Sequence, residues 1–384
     1  MTMQMSSVTA IVLASVAACG SASGSPQITL LGETQWNSQA HSISADGSTI
    51  SGYRHTQDGD MMYRLNGGTY TDIAPIGGRV YRVDVSGDGS TVVGSMGAHF
   101  GSVGRAVRWN DSGLHDLGSL GGNDSGAYGV SRDGSVVAGT STLASGSQRA
   151  FRWTASGGMQ NLGTLGGDNS FGKAVSANGA AIVGRSTNAN GRSFAFRWNE
   201  ANGMQNLGSL IGNHGQSQAS GTSGDGSVVV GWSSAPRHAW EQEMPGHGWG
   251  ETARHMFRWT ESGGMQNLGI LEGAWDTDAL GVSADGNTVV GFALGSDIRR
   301  GTIAVMWTPE LGLVDIQEYM VSQGIDMTGW RLTRAYAASE DGTTIVGRGF
   351  YDQTERAFVI TGIPAPGFMG LAGVAGLWAS RRKR

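Results

Sequence analysis

One cysteine, Cys19, lies near the N-terminus of this 384-residue chain, so no intrachain disulfide can form and stability has to come from packing. Lysine is nearly absent, arginine mostly occurs singly, and the net charge is -5, with no basic stripe through the chain. That distribution argues against nucleic acid as a partner. Helix-forming stretches are scarce as well, because 65 glycines interrupt the sequence without a collagen-like period. Such an excess marks dense turns, while 39% apolar residues leave enough material for a large core.

What is present is repetition. Residues 150–167 read Ala-Phe-Arg-Trp-Thr-Ala-Ser-Gly-Gly-Met-Gln-Asn-Leu-Gly-Thr-Leu-Gly-Gly, and the stretch recurs at 195–212 and, altered at a few positions, at 256–273. Between copies stands a second signature, Val-Ser-x-Asp-Gly followed by an apolar run ending in Gly, as in residues 130–139. The glycine of the Asp-Gly or Asn-Gly pair falls at Gly47, Gly89, Gly134, Gly179, Gly226, Gly286 and Gly342, with steps of 42, 45, 45, 47, 60 and 56. Each of the seven units is then one supersecondary element that buries its apolar face only against its neighbours.

Within one unit, residues 127–163, a small and polar strand precedes the hairpin turn Arg132-Asp133-Gly134, where Gly takes positive φ. An apolar Val-Val-Ala strand follows, and then an alternating strand puts Phe151 and Trp153 on one face. After Ser156-Gly157-Gly158 the chain turns into a fourth short strand. Four-stranded antiparallel units repeated around an axis predict an all-β fold, a seven-bladed β-propeller. Its first strands would line the crowded channel, which accounts for their Ala, Gly and Ser, and the Phe and Trp of the third strands would fill the space between blades. A solenoid competes, but it needs polar capping units and none is visible. The seventh unit stops after its third strand, and residues 28–32, Ile-Thr-Leu-Leu-Gly, match the missing fourth. An N-terminal strand is therefore expected to close the ring.

Ala-Phe-Arg-Trp, Met-Gln-Asn-Leu-Gly and Leu-Gly-Gly resemble the bacterial extracellular repeats called HAF repeats, over roughly residues 28–361. The family's His is mostly absent here, since Arg149 and Phe194 stand ahead of Ala150 and Ala195, while His255 stands ahead of Met256. The resemblance implies an exported repeat protein and carries no catalytic residue. Both ends of the chain agree with export. Residues 8–18 are an apolar run of signal-peptide length, although basic residues ahead of it are missing, and Val-Ala-Ala-Cys19 also resembles a lipoprotein cleavage box. At the other end stand Pro364-Ala365-Pro366, an uncharged segment at 368–380, and Arg381-Arg382-Lys383-Arg384. Thirteen residues are short for a bilayer, which needs about 20, yet terminal basic residues would hold such a tail on the cytoplasmic side. The order resembles the PEP-CTERM sorting domain of Gram-negative bacteria, with Pro-Ala-Pro in place of Pro-Glu-Pro. That resemblance implies the export machinery and an exosortase-like sorting enzyme as partners, transient membrane insertion of the tail, and a secreted or surface-anchored product. The expected organisation is a signal peptide at 1–24, a propeller at 25–362 and a sorting segment at 363–384.

Candidate chemistry is thin. Asp46, Asp88, Asp133, Asp225, Asp285 and Asp341, with Asn178 in the seventh slot, recur at every turn and read as turn devices that bond their own backbone. Arg64, Arg108, Arg152, Arg197 and Arg258 recur on the third strand and read as structural contacts between blades. Departures from the repeat carry more information. Residues 233–254 expand the loop between strands two and three of the fifth unit and bring His238, Trp240, Glu241, Glu243, His247, Trp249 and Glu251. Residues 315–329 insert a short helix before the seventh unit, and residues 272–278 carry Trp275. All three fall on one face, where His238, Trp240, His247, Trp249 and Trp275 are the candidate ligand contacts, with a glycan or matrix component as ligand. No cofactor is implied, and neither a His pair at i, i+4 nor a Cys supports a metal site. The reading is a non-catalytic binding or display protein. Two alternatives stay open, a structural matrix component and a glycan-acting hydrolase using Glu241, Glu243, Glu251 and Asp276 or Asp278.

Overall fold

The computed structural model describes residues 25–31, 37–57, 59–73, 80–97, 104–237, 252–295 and 301–364. Seven four-stranded antiparallel sheets follow one another around an axis, so the fold is a seven-bladed β-propeller. Blade 3 is representative, with strands Gly121–Val130, Val136–Leu143, Gln148–Thr154 and Gly158–Asn161. Blade 7 takes three strands from the C-terminal region, and its fourth is Gln27–Leu31, paired antiparallel with Thr354–Thr361.

Every turn between the first and second strands uses one device. In blade 1, Ser44 Oγ donates to Asp46 Oδ1 at 2.7 Å, the Ser48 amide donates to the same oxygen at 3.0 Å, and the Thr49 amide donates to Ser44 Oγ at 2.9 Å. Asn178 accepts the equivalent bonds from Ser176 Oγ and the Ala180 amide, so a charge is not required. Gly134 beyond the turn has φ of 71°, a region that only glycine enters freely. The repeated aspartates are structural, as their recurrence implied.

Seven apolar clusters hold the ring, one at each boundary between neighbouring blades. Between blades 3 and 4, for example, Ala138 and Ala150 meet Ile182, Phe196 and Trp198. Polar bonds cross the same boundaries. The Ala150 amide donates to Ser170 Oγ of the next blade at 2.9 Å, and that hydroxyl donates to the Gly163 carbonyl at 2.6 Å. Ser38 repeats the pattern at the closure, accepting from the Ala357 amide and donating to the Leu31 carbonyl, both at 3.1 Å. The repeated arginines also bridge blades, since Nε of Arg197 donates to the Gly226 carbonyl at 2.7 Å and Nε of Arg258 to the Gly286 carbonyl at 2.9 Å.

The inserted helix, α1 (Ile316–Ser322), is capped by the Asp315 carboxylate, which accepts from the Gln317 and Glu318 amides. Its Ile316, Tyr319 and Met320 are buried in the cluster between blades 6 and 7, so the insertion is spent on packing. Smallness along the first strands has a different cause from the one expected. Ala127, Ala219, Ala279 and Ala335 are fully buried between blades, and a Cβ on Gly281 would come within 2.7 Å of the Tyr336 carbonyl of the next blade. Small residues there answer the approach of neighbouring first strands, and the channel itself receives large side chains. Among the described residues no helix is long and apolar enough to cross a membrane; residues 368–380 lie outside them.

Candidate functional site

Six of the seven first strands carry a β-bulge at the same place. The register skips His41, Tyr128, Lys173, Ser220, Leu280 and Tyr336, each six residues ahead of its turn glycine. A bulge re-aims the extra residue and displaces the preceding backbone. The displacement explains the glycine that ends each apolar run. A Cβ at Gly139, Gly184, Gly231 or Gly291 would fall on the carbonyl oxygen two residues ahead of the bulged position. Blade 2 has no bulge at that place, and Gly94 is correspondingly less crowded by the Arg82 carbonyl, at 3.1 Å. Val83 holds that slot in register, and Asp84 after it ties its neighbours together, accepting from Ser42 Oγ of blade 1 and from the Val130 amide of blade 3.

The axial channel is thus lined by one non-repeated side chain per blade. A cavity of about 110 Å³ lies among His41, Arg82, Tyr128, Ser220, Leu280 and Tyr336. At the turn end a chain of seven backbone hydrogen bonds runs from blade to blade and closes on itself, from Ala45 to Gly87 and onward to Glu340, whose amide donates to the Ala45 carbonyl. Across that end Arg132 of blade 3 forms a bidentate ion pair with Glu340 of blade 7.

Toward the opposite end, where the loops between blades emerge, the channel becomes cationic. Arg82, Lys173, Arg185, Arg254, Arg334 and Arg348 lie within electrostatic reach of one another and of three carboxylates, Asp84, Asp278 and Glu355. Lys173 is the only lysine among the described residues. Most of these cations rest on aromatic rings. Lys173 Nζ lies 5.1 Å from the Tyr128 ring, and the Arg185, Arg254 and Arg334 guanidiniums lie 4.2, 4.5 and 3.9 Å from Phe171, Trp232 and Phe292. Arg334 and Arg348 stand directly opposite each other in the β register, an arrangement that costs energy for like charges. Arg348 pairs with Glu355 at 3.3 Å, and Nε of Arg185, Arg334 and Arg348 has no hydrogen-bond partner among the described residues.

Burial and these neighbours shift the titrating groups. Desolvation, helped by Arg82 and Arg348, lowers the His41 pKa to about 3, so its ring is neutral. His41 Nε2 and the Tyr336 hydroxyl donate to Gln39 Oε1, at 3.1 and 3.3 Å, and Gln39 Nε2 donates to Glu355 Oε1 at 2.6 Å. Desolvation lowers Lys173 to about 8, with Arg82 and Arg185 adding to the effect. Asp278 is raised to about 7 by desolvation, against the pull of Arg254, Arg334, Lys173 and Arg82, and its Oδ1 has no partner among the described residues.

Of the residues expected to bind, His238, Trp240, His247 and Trp249 lie outside the described residues, as do Glu241, Glu243 and Glu251. Trp275 belongs to the first strand of blade 6, Ala274–Val282, at a second register shift, and is half-buried there; it is not a loop residue. Asp276 accepts from the Arg254 amide at 2.8 Å, the position and role of Asn169, which accepts from the Gln148 amide at 2.9 Å. It is part of the repeat. Pro364 is the last described residue, and Ala365, Pro366, Arg381, Arg382, Lys383 and Arg384 lie beyond it. Among the described residues no three His, Cys, Asp or Glu side chains gather as metal ligands. Sequence reasoning passed over Arg82, Lys173, Arg185 and Arg334. A signal existed for Lys173 alone, since it fills the slot six residues before a turn glycine, which the repeat fails to keep, whereas Arg82, Arg185 and Arg334 stand outside that slot.

No family model matches the chain, and no curated protein matches it. Solved structures do. An oligogalacturonate lyase in complex with manganese aligns with a TM-score of 0.55 at 12% identity, covering 91% of this chain and 96% of its own. Oligogalacturonate lyase from Vibrio parahaemolyticus gives 0.58 at 9% identity, over 87% and 93%. The Kuenenia stuttgartiensis hydrazine synthase gives 0.51 at 10% identity, over 83% and 94%. At these identities the likeness is one of fold.

Proposed function

We propose that the chain is an exported propeller that binds an extracellular ligand without transforming it, and that the ligand sits at the loop end of the channel. One observation carries this reading. The turn end is closed by repeated backbone bonds and the Arg132–Glu340 pair, whereas the other end gathers side chains that the repeat does not prescribe. Residues that vary within a regular scaffold, at the mouth of a cavity on its axis, are where a propeller can differ from its relatives without losing its fold.

A hydrolase reading draws on Asp278, whose carboxyl titrates near neutrality as a general acid must. A glycosidase needs a second carboxylate about 5–9.5 Å away, and Asp276, next on the same face of the strand, is held by the Arg254 amide. Glycan-array screening of the full propeller, followed by hydrolysis assays on each hit, separates the two. Binding without product supports the proposal; turnover abolished by Asp278→Asn would replace it. Exchanging residues 233–254 for the short loop 141–148 of blade 3 should leave the melting temperature within a few degrees and weaken binding at least tenfold, since the exchange takes Arg254 from the mouth. Unchanged affinity would place the contacts on the channel wall alone.

Export belongs to the same proposal, through the apolar N-terminal run and the Pro-Ala-Pro, apolar and basic order of the tail. Deleting Arg381, Arg382, Lys383 and Arg384 should release the protein to the medium or stall its processing. Identical fractionation of the full-length and shortened forms would remove the sorting signal from the proposal.

A further inference from the structure

The cations of the channel mouth do not have the partners that a structural role would give them. Among the described residues, Arg82, Lys173, Arg185 and Arg334 form no ion pair; Lys173 rests on the Tyr128 ring, and the rings beneath Arg185 and Arg334 fix their guanidiniums without engaging the in-plane Nε–H donors. Elsewhere in the chain Arg64 shares this state, with its guanidinium over the Trp109 ring and its Nε without a partner among the described residues, but other arginines are paired. Arg54 is matched by Asp72, Arg105 by Asp116 and Arg132 by Glu340. At the mouth six cations face three carboxylates, of which Asp84 and Asp278 are raised by burial, Asp278 to about 7, in a protein whose net charge is -5. Concentrating positive charge there, with Arg334 opposite Arg348, raises the energy of the empty site. A bound anion would lower it.

The geometry also bears on the shape of that anion. The cations come from blades 2, 4, 5 and 7, an arc around the axis, so a single small ion would satisfy only some of them. Phe171, Trp232 and Phe292 are half-buried beside them, and the part of each ring that its guanidinium does not cover offers apolar surface to a sugar. The cavity of about 110 Å³ below the arc has room for a carboxylate and the atoms that carry it. We propose that the loop end of the channel binds an acidic oligosaccharide, with one carboxylate directed down between Arg82 and Lys173 and further carboxylates met by Arg185 and Arg334. Guanidinium groups suit this task because two parallel N–H donors match the two oxygens of a carboxylate. This inference rests on the channel mouth being the ligand site and adds the chemical class of the ligand.

Titration calorimetry on the full chain at pH 7 and low salt tests it, using trigalacturonate, its fully methyl-esterified form, inorganic sulfate and a single-stranded oligothymidylate. Trigalacturonate should bind, at least tenfold more tightly than the ester and than sulfate, and its affinity should fall as salt rises. Lys173→Met and Arg185→Met should each weaken it by tenfold or more without lowering the melting temperature. Arg192→Met, on the outer surface, should leave it unchanged. Equal affinity for acid and ester, or tighter binding of the oligothymidylate, would overturn the acidic-glycan assignment. If the array instead yields a neutral glycan whose binding is lost with the loop exchange, the binding site stands and its acidic specificity falls. If no probe and no array glycan binds, both fall together.

Discussion

Deleting Gln27–Leu31 should destabilise the protein more than any single substitution within a blade. The strand pairs with Thr354–Thr361 over five register positions and supplies the outer edge of blade 7. Leu31 is 2% exposed within the cluster between blades 7 and 1, and Ile28 packs against the cluster between blades 6 and 7. Its removal therefore loosens two boundaries at once. Ser38 would lose the carbonyl to which it donates, leaving one member of the blade-to-blade bonds unmade. Losing one buried Leu costs about 2–5 kcal/mol, and the second apolar side chain with the lost pairing brings the total to roughly 5 kcal/mol or more. The exposed edge of Thr354–Thr361 would also invite pairing with other chains. Thermal unfolding and size-exclusion chromatography check both effects. A deletion variant with an unchanged midpoint that still elutes as wild type would rule out closure by this strand as the source of ring stability.

This closure was legible because it is a matter of counting strands. A seventh unit with three strands and an orphan match at the N-terminus leave one arrangement, and the turn motif marks each unit with a glycine at positive φ. Those signals are local, and local signals survive in a sequence read alone. The helix at Ile316–Ser322 was legible as well, as an insertion that breaks the repeat before the seventh unit. Its use was not, since only the packed structure shows Ile316, Tyr319 and Met320 turned into the core. The channel mouth was least legible. Arg82, Lys173, Asp278 and Arg334 are separated by tens to hundreds of residues and meet because the ring brings one residue from each blade to the axis. No local pattern records that meeting. Trp275 misled for the opposite reason, because a large aromatic near a blade-joining segment looks like a loop anchor until a register shift places it in a strand.

The buried charges that make the mouth a candidate site should also shape the pH dependence of stability. Asp278 has a pKa of about 7 in the folded protein against 3.8 for the unperturbed group. Between those values the folded chain keeps a proton that the unfolded chain has released, so stability falls as pH rises from about 4 to about 7 and this contribution is constant above. Lys173 acts on the alkaline side. Its pKa is about 8 folded against 10.5 unperturbed, so the folded chain loses its proton first and stability rises again from about 8 to about 10.5. Both charges are therefore most costly between about pH 7 and 8. At about 1.4 kcal/mol per pH unit, the upper bounds are roughly 4 kcal/mol for Asp278 and roughly 3 kcal/mol for Lys173. Partial exposure of both side chains reduces these values. Urea unfolding from pH 4 to 10 should show a shallow stability minimum between pH 7 and 8. Asp278→Asn should remove the fall on its acid side and Lys173→Met the rise on its alkaline side, each variant being more stable than wild type at pH 7.5. Curves for wild type and both variants that run parallel across this range would mean that the two groups are solvated, and that the mouth does not hold the strained charge from which its ligand was inferred.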